Sequence, residues 1–88
     1  ADVASAPVRG LMMIGIEGRG GEKIMARLTG LPAVMAVHST NGKWDLIVEL
    51  ATQTLLELDE VIHRIRNIEG VMTSETNLLL STRKAGRR

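Results

Sequence analysis

Residues 34–50 read VMAVHSTNGKWDLIVEL, two runs rich in apolar residues on either side of Asn41-Gly42. Asn-Gly is the dipeptide that most readily takes the positive φ angles of a type I′ turn, and apolar runs around it are the signature of a β-hairpin. The spacing predicts strands over Val34–Thr40 and Trp44–Leu50. Side chains alternate along a strand, so Trp44, Leu46, Val48 and Leu50 share one face while Asp45, Ile47 and Glu49 share the other. A sheet with such an apolar face needs a covering layer, and the flanking sequence offers two helices for it.

Upstream, Leu11, Met12, Met13, Ile14 and Ile16 crowd the run Arg9–Glu17, which stops at Gly18-Arg19-Gly20-Gly21 and reads as a strand apolar on both faces. Glu22–Thr29 sets Ile24, Met25 and Leu28 on one helical face, with Gly30 at the C-terminal stop and Pro32 just beyond. Downstream, Thr54 and Glu57 have capping-box spacing, and Leu55, Leu58, Val61, Ile62, Ile65 and Ile68 recur at helical spacing up to Gly70. Glu60 and Arg64 stand at the i, i+4 spacing that favours an ion pair. Val71–Ser81 is the last strand, ending in Leu78-Leu79-Leu80. A faint repeat runs through this order: Arg27, Leu28, Leu31, Val34 and Met35 recur as Arg64, Ile65, Ile68, Val71 and Met72.

The resulting βαββαβ order predicts an α+β, ferredoxin-like domain with an antiparallel four-stranded sheet and two helices on one face. We expect a linker over residues 1–8, the folded domain over 9–82 and a basic tail over 83–88. Nothing before Val8 should pack. The first strand is apolar on both sides, so the bare sheet face should meet a second copy in a two-fold homodimer. Composition agrees, because Trp44 is the only aromatic and a small core of aliphatic residues and Met gains from a partner subunit. The absence of cysteine fits a reducing compartment, and no apolar run reaches the roughly 20 residues of a membrane span. A cytoplasmic protein with no membrane partner is expected.

The charge is uneven. Residues 1–82 hold seven bases against ten acids, while Arg83, Lys84, Arg87 and Arg88 make the tail basic. An acidic body repels phosphate backbones, so direct duplex binding by the domain is not expected. Nucleophilic catalysis needs a Ser or Cys with a His base and an orienting acid, and the sequence offers no Cys and only His38 and His63 as bases. His63 belongs on the solvent side of its helix; His38 is either a hydrogen-bonded structural residue or one facing a pocket. One His with Asp45 is too few ligands for zinc, and the Gly18–Gly21 loop matches no phosphate-binding fingerprint. No catalytic residue, metal or cofactor is expected, and Met12, Met13, Met25, Met35 and Met72 read as core or interface filler.

One cluster carries recognition chemistry. Ser39, Thr40, Asn41, Gly42, Lys43, Trp44 and Asp45 put hydroxyls, an ammonium, an indole and a carboxylate within a few residues, a set that suits a zwitterion. The same residues also make an ordinary polar turn in which Asp45 caps backbone amides and Trp44 covers the core.

Taken as an ordered set, these segments are similar to the C-terminal effector domain, the RAM domain, of the Lrp/AsnC transcription regulators. The similarity runs from about Arg9 to Ser81. It is carried by Leu31-Pro32-Ala33-Val34, Val37-His38-Ser39, Gly42-Lys43-Trp44-Asp45-Leu46, Glu69-Gly70-Val71, Ser74-Glu75-Thr76 and Leu78-Leu79-Leu80. The resemblance implies dimers through the sheet face, further assembly to octamers, and a small effector, usually an amino acid, bound between dimers near the hairpin. It places Gly42, Trp44 and Asp45 in the effector pocket with the hydroxyls of Ser74 and Thr76; proximity adds Ser39, Thr40, Lys43 and Thr73. DNA contact is expected only through a helix-turn-helix that these 88 residues do not contain. Three other classes share the topology: an ACT-like amino-acid sensor, an oligomerisation module that binds no ligand, and a small dimeric α+β barrel enzyme.

Overall fold

The computed structural model describes residues 6–83 and contains β1 (Val8–Ile16), α1 (Gly21–Thr29), β2 (Val34–Ser39), β3 (Leu46–Thr52), α2 (Leu55–Arg66) and β4 (Val71–Leu78). The strands form one antiparallel sheet in the order β2-β3-β1-β4, the arrangement expected of a ferredoxin-like βαββαβ chain. β1 and β3, the two strands richest in aliphatic residues, take the centre. Both helices lie on one face, because Met12, Ile14, Leu46, Val48 and Leu50 of the sheet share a buried core with Ile24 and Leu28 of α1 and Leu58 and Ile65 of α2.

Period-two alternation decides what the other face carries. Leu11 and Met13 point away from the helices, Met13 beside Ile47 of β3, and all three are half-buried in the single chain. Around these apolar residues lie Arg9, His38, Glu49 and Glu75. His38 Nε2 meets Glu49 Oε2 at 2.7 Å, so this histidine is hydrogen-bonded on the open face.

α2 begins as its capping chemistry requires: the Thr54 hydroxyl accepts the Glu57 N–H at 3.1 Å, and the Glu57 carboxylate reaches back to the Gln53 N–H at 3.0 Å. The reciprocal bond thus falls one residue earlier than in a standard box. Gly70 closes the α2–β4 connection at φ +101°, where its carbonyl accepts from Glu17 and a Cβ would stand 2.9 Å from Ile24 Cδ1. The Gly18–Gly21 segment is a turn with Gly18 at φ +77° and no side-chain cap on α1.

Five expectations need correction. β1 starts at Val8 rather than Arg9, and Ala6 is buried, so packing begins inside the segment read as a linker. The hairpin turn is not a two-residue type I′ turn: pairing stops at Ser39–Leu46 and Gly42 is not at positive φ, because the Thr40 hydroxyl organises a longer loop. Leu55 is 62% exposed and stays out of the core that Leu58 and Ile65 of the same helix enter. Glu60 and Arg64 make no ion pair among the described residues. β4 ends at Leu78, leaving Leu79 and Leu80 outside the strand, although the Leu79 N–H still donates to the Arg9 carbonyl of β1 at 2.9 Å. The tail beyond Arg83 lies outside the described residues.

Candidate functional site at the β2–β3 hairpin

The hairpin loop is built on one hydroxyl. Thr40 Oγ1 donates to the Trp44 carbonyl at 2.8 Å and accepts from the Gly42 N–H at 3.0 Å, while the Thr40 N–H donates to the Asp45 carbonyl at 3.0 Å. A Thr two residues before a glycine is the ST-turn arrangement, and it draws Asn41 to Lys43 into an exposed tip. Trp44 is half-buried beneath that tip, with the Lys43 ammonium 5.5 Å from its ring centroid.

Asp45 joins the loop to the centre of the sheet. Its N–H donates to the Ile14 carbonyl at 2.9 Å, and its Oδ2 accepts the Ile16 N–H at 2.8 Å. The carboxylate therefore caps the backbone amide at the end of β1, as the polar-turn reading anticipated. Its other oxygen has no hydrogen-bond partner among the described residues.

On the far side of β1, Thr73 of β4 pairs with Gly15. A Cβ on Gly15 would stand 2.5 Å from Thr73 Oγ1, so only glycine lets this hydroxyl lie over the strand. Asp45 and Thr73 consequently flank the last residues of β1 at one end of the sheet. Ser74 and Thr76 do not join Thr73's face. They pair with Ile14 and Met12, whose side chains enter the core, and so sit on the helix side of β4. Ser39 pairs with Leu46 at the other edge, likewise on the helix side. The structure thus brings Thr40, Gly42, Lys43, Trp44 and Asp45 into one unit, sets Thr73 across β1 from it, and keeps Ser39, Ser74 and Thr76 on the opposite face.

Two residues absent from the sequence-based set matter to this geometry. Gly15 makes room for Thr73, and a glycine inside an otherwise apolar strand was the available signal. Glu49 holds His38, and nothing in the linear sequence separated it from other solvent-side acids. Among the described residues, no group of three or more His, Cys, Asp or Glu could hold a metal ion, and no helix is long and apolar enough to cross a membrane.

Comparison with known proteins gives a consistent answer. The family model of the Lrp/AsnC ligand binding domain matches residues 10–88. The HTH-type transcriptional regulator FL11 of Pyrococcus furiosus is 27% identical over 62 residues, 70% of this chain and 41% of its own. The homocitrate synthase of Sulfurisphaera tokodaii is 32% identical over 57 residues, 65% of this chain but 12% of the enzyme. The structure of E. coli AsnC superposes with a TM-score of 0.85 at 20% identity, covering 97% of this chain and 58% of that one. The match spans about two fifths of the length of the curated regulators FL11 and LysM.

Proposed function

From the premise that this chain belongs to the Lrp/AsnC ligand-binding-domain family, we propose that it binds an amino-acid effector at the hairpin, between subunits, and passes that event on through its assembly. Gly42, Trp44 and Asp45 form the core of the site, with Thr40, Lys43 and Thr73 beside them. Asp45's unengaged oxygen receives the effector ammonium, and the Lys43 ammonium or loop amides receive its carboxylate. Ser39, Ser74 and Thr76 contribute only from a neighbouring subunit or from the helix side of the sheet. A homodimer forms through the open sheet face, and further association to octamers brings hairpins of different dimers together.

The observation that supports this reading is the polar cluster at one end of β1, where Asp45 and Thr73 flank Gly15 beside a half-buried indole. DNA contact belongs to a helix-turn-helix of a parent protein, because α1 and α2 both spend their apolar faces on the sheet and are separated by the hairpin. The domain acts in the cytoplasm, carries no catalytic group and needs no metal or cofactor; among the described residues no Ser or Thr hydroxyl is hydrogen-bonded to His38 or to the Asp45 carboxylate. Effector binding shifts DNA-binding heads between assembled states, which is allostery by linked association. The partial match to homocitrate synthase favours one second reading, a sensor module carried by a metabolic enzyme.

Trp44 makes the test direct, being the only aromatic residue. The twenty amino acids are titrated while its emission and the light-scattering mass are followed. A saturable change for a few of them, with a change in mass, is the expected result; silence across the panel at constant mass would overturn the reading in favour of a ligand-free assembly module.

A further inference from the structure

At the end of the sheet away from the hairpin lies a depression of about 280 Å³, walled by Ala6, Ala33, Ala51, Thr52, Glu60 and Arg64 among others. Thr52 pairs with Val8, the first residue of β1, whereas the hairpin binds the last residues of that strand. A nine-residue strand separates the two places, roughly 25 Å at the usual rise per residue. The three alanines are buried and supply an apolar floor.

The polar groups around this floor divide into used and unused. The Thr52 hydroxyl donates to the Thr54 carbonyl at 2.8 Å, and the Glu57 carboxylate, also in the wall, accepts the Gln53 N–H at 3.0 Å. Both serve the start of α2. The side chains of Glu60 and Arg64 are different: they stand four residues apart on one helix, at the spacing where an ion pair ordinarily forms, yet neither side chain has an ion-pair or hydrogen-bond partner among the described residues. A carboxylate and a guanidinium therefore line one apolar hollow, and neither is engaged among the described residues.

We propose that this hollow is a second small-molecule site, which takes a free aliphatic α-amino acid. Glu60 receives the ammonium, Arg64 receives the carboxylate in its planar fork, and the aliphatic side chain rests on the alanine floor. The match is to the pair of charges together, since a plain amine would leave Arg64 unmatched and a plain carboxylate would leave Glu60 so. The site lies within one subunit, shares no residue with the hairpin and rests on none of the reading given for it.

The test is an amide NMR titration of the whole chain with L-valine, L-leucine and L-isoleucine in turn, with 4-methylpentanoate and isoamylamine as analogues of leucine lacking one charge each. For at least one amino acid, saturable shifts are expected at the amides of Ala51, Thr52, Gln53 and Val61. Each analogue, and each of the exposed-site variants Glu60→Gln and Arg64→Gln, should bind there roughly tenfold or more weakly, the loss typical of one charged contact. Asp45→Asn should leave these shifts unchanged. Absence of shifts at these amides with all three amino acids would overturn the proposal, as would analogues or variants that bind as tightly as the parent. A response confined to the hairpin would overturn it while sparing the hairpin reading, and a silent Trp44 beside shifting Thr52 would do the reverse.

Discussion

Asp45 has one carboxylate and two tasks. Oδ2 holds the Ile16 amide, and its other oxygen is the proposed effector contact. Replacing Asp45 by Ala should therefore lower the unfolding free energy by about 1 kcal/mol, the usual net worth of such a hydrogen bond. Asp45→Asn keeps an acceptor for Ile16 and should cost less than half of that, while effector affinity still falls by about 1.5–3 kcal/mol through loss of the charge. Urea unfolding and the Trp44 titration on the same two variants separate the tasks; equal stability losses in both would mean the charge itself holds β1. Gly15 is the other decisive residue. Gly15→Ala drives a Cβ to within 2.5 Å of Thr73 Oγ1 and should destabilise by about 1–3 kcal/mol, as overpacking does. Thr73→Ala in the same chain removes the obstructing atoms and should recover most of that loss, a coupling that a double-mutant cycle reads directly.

At the scale of elements, the capping of α2 is the plainest case in which local chemistry dictates structure. Thr54→Ala removes the acceptor of the Glu57 N–H and should cost about 1 kcal/mol, measured as a shift of the urea midpoint at unchanged slope. Thr54 and Glu57 could be recognised in the linear sequence because a cap is a contact between residues three apart. The order and approximate bounds of all six elements were legible for a similar reason: aliphatic residues recur at period two or near period 3.6, and glycines punctuate them. The hairpin was legible as a pair of strands but not as a turn. The Asn-Gly rule presumes that backbone twist selects the loop, whereas here the Thr40 hydroxyl satisfies Gly42 and Trp44 and sets a longer one. The faces of β4 were illegible for a tertiary reason. Ile16 pairs with Val71 but Gly15 pairs with Thr73, so the irregularity at Met72 turns the strand over, sending Thr73 to the open face and Ser74 and Thr76 to the helix side. No periodicity in the residues around Met72 announces that insertion, which is why a site drawn from the resemblance joined hydroxyls that one chain keeps apart.

For the molecule as a whole, the proposed assembly turns on the open sheet face. Leu11, Met13 and Ile47 cluster there, while Ile14, next in sequence to Met13, is fully buried under the helices. A charge at Ile14 would unfold the domain and say nothing about association; Met13 is the position that tests it. In a dimer through this face, two copies of Met13 leave water, each worth about 1.5–3 kcal/mol when fully buried. Met13→Glu forfeits that gain and places a second carboxylate beside Glu75, its cross-strand partner, so the dimer dissociation constant should rise by roughly a hundredfold or more. The expected outcome by sedimentation is a monomer whose far-UV circular dichroism equals that of the parent chain, since the helix-side core is untouched. Met13→Leu, similar in volume and uncharged, should remain a dimer and so shows that any loss comes from charge rather than shape. If Met13→Glu keeps the parent mass at micromolar concentration, the sheet face is not the interface. The exposed apolar side chains of Leu55, Leu56, Met72, Leu78, Leu79 and Leu80 would then be the surface left to explain association.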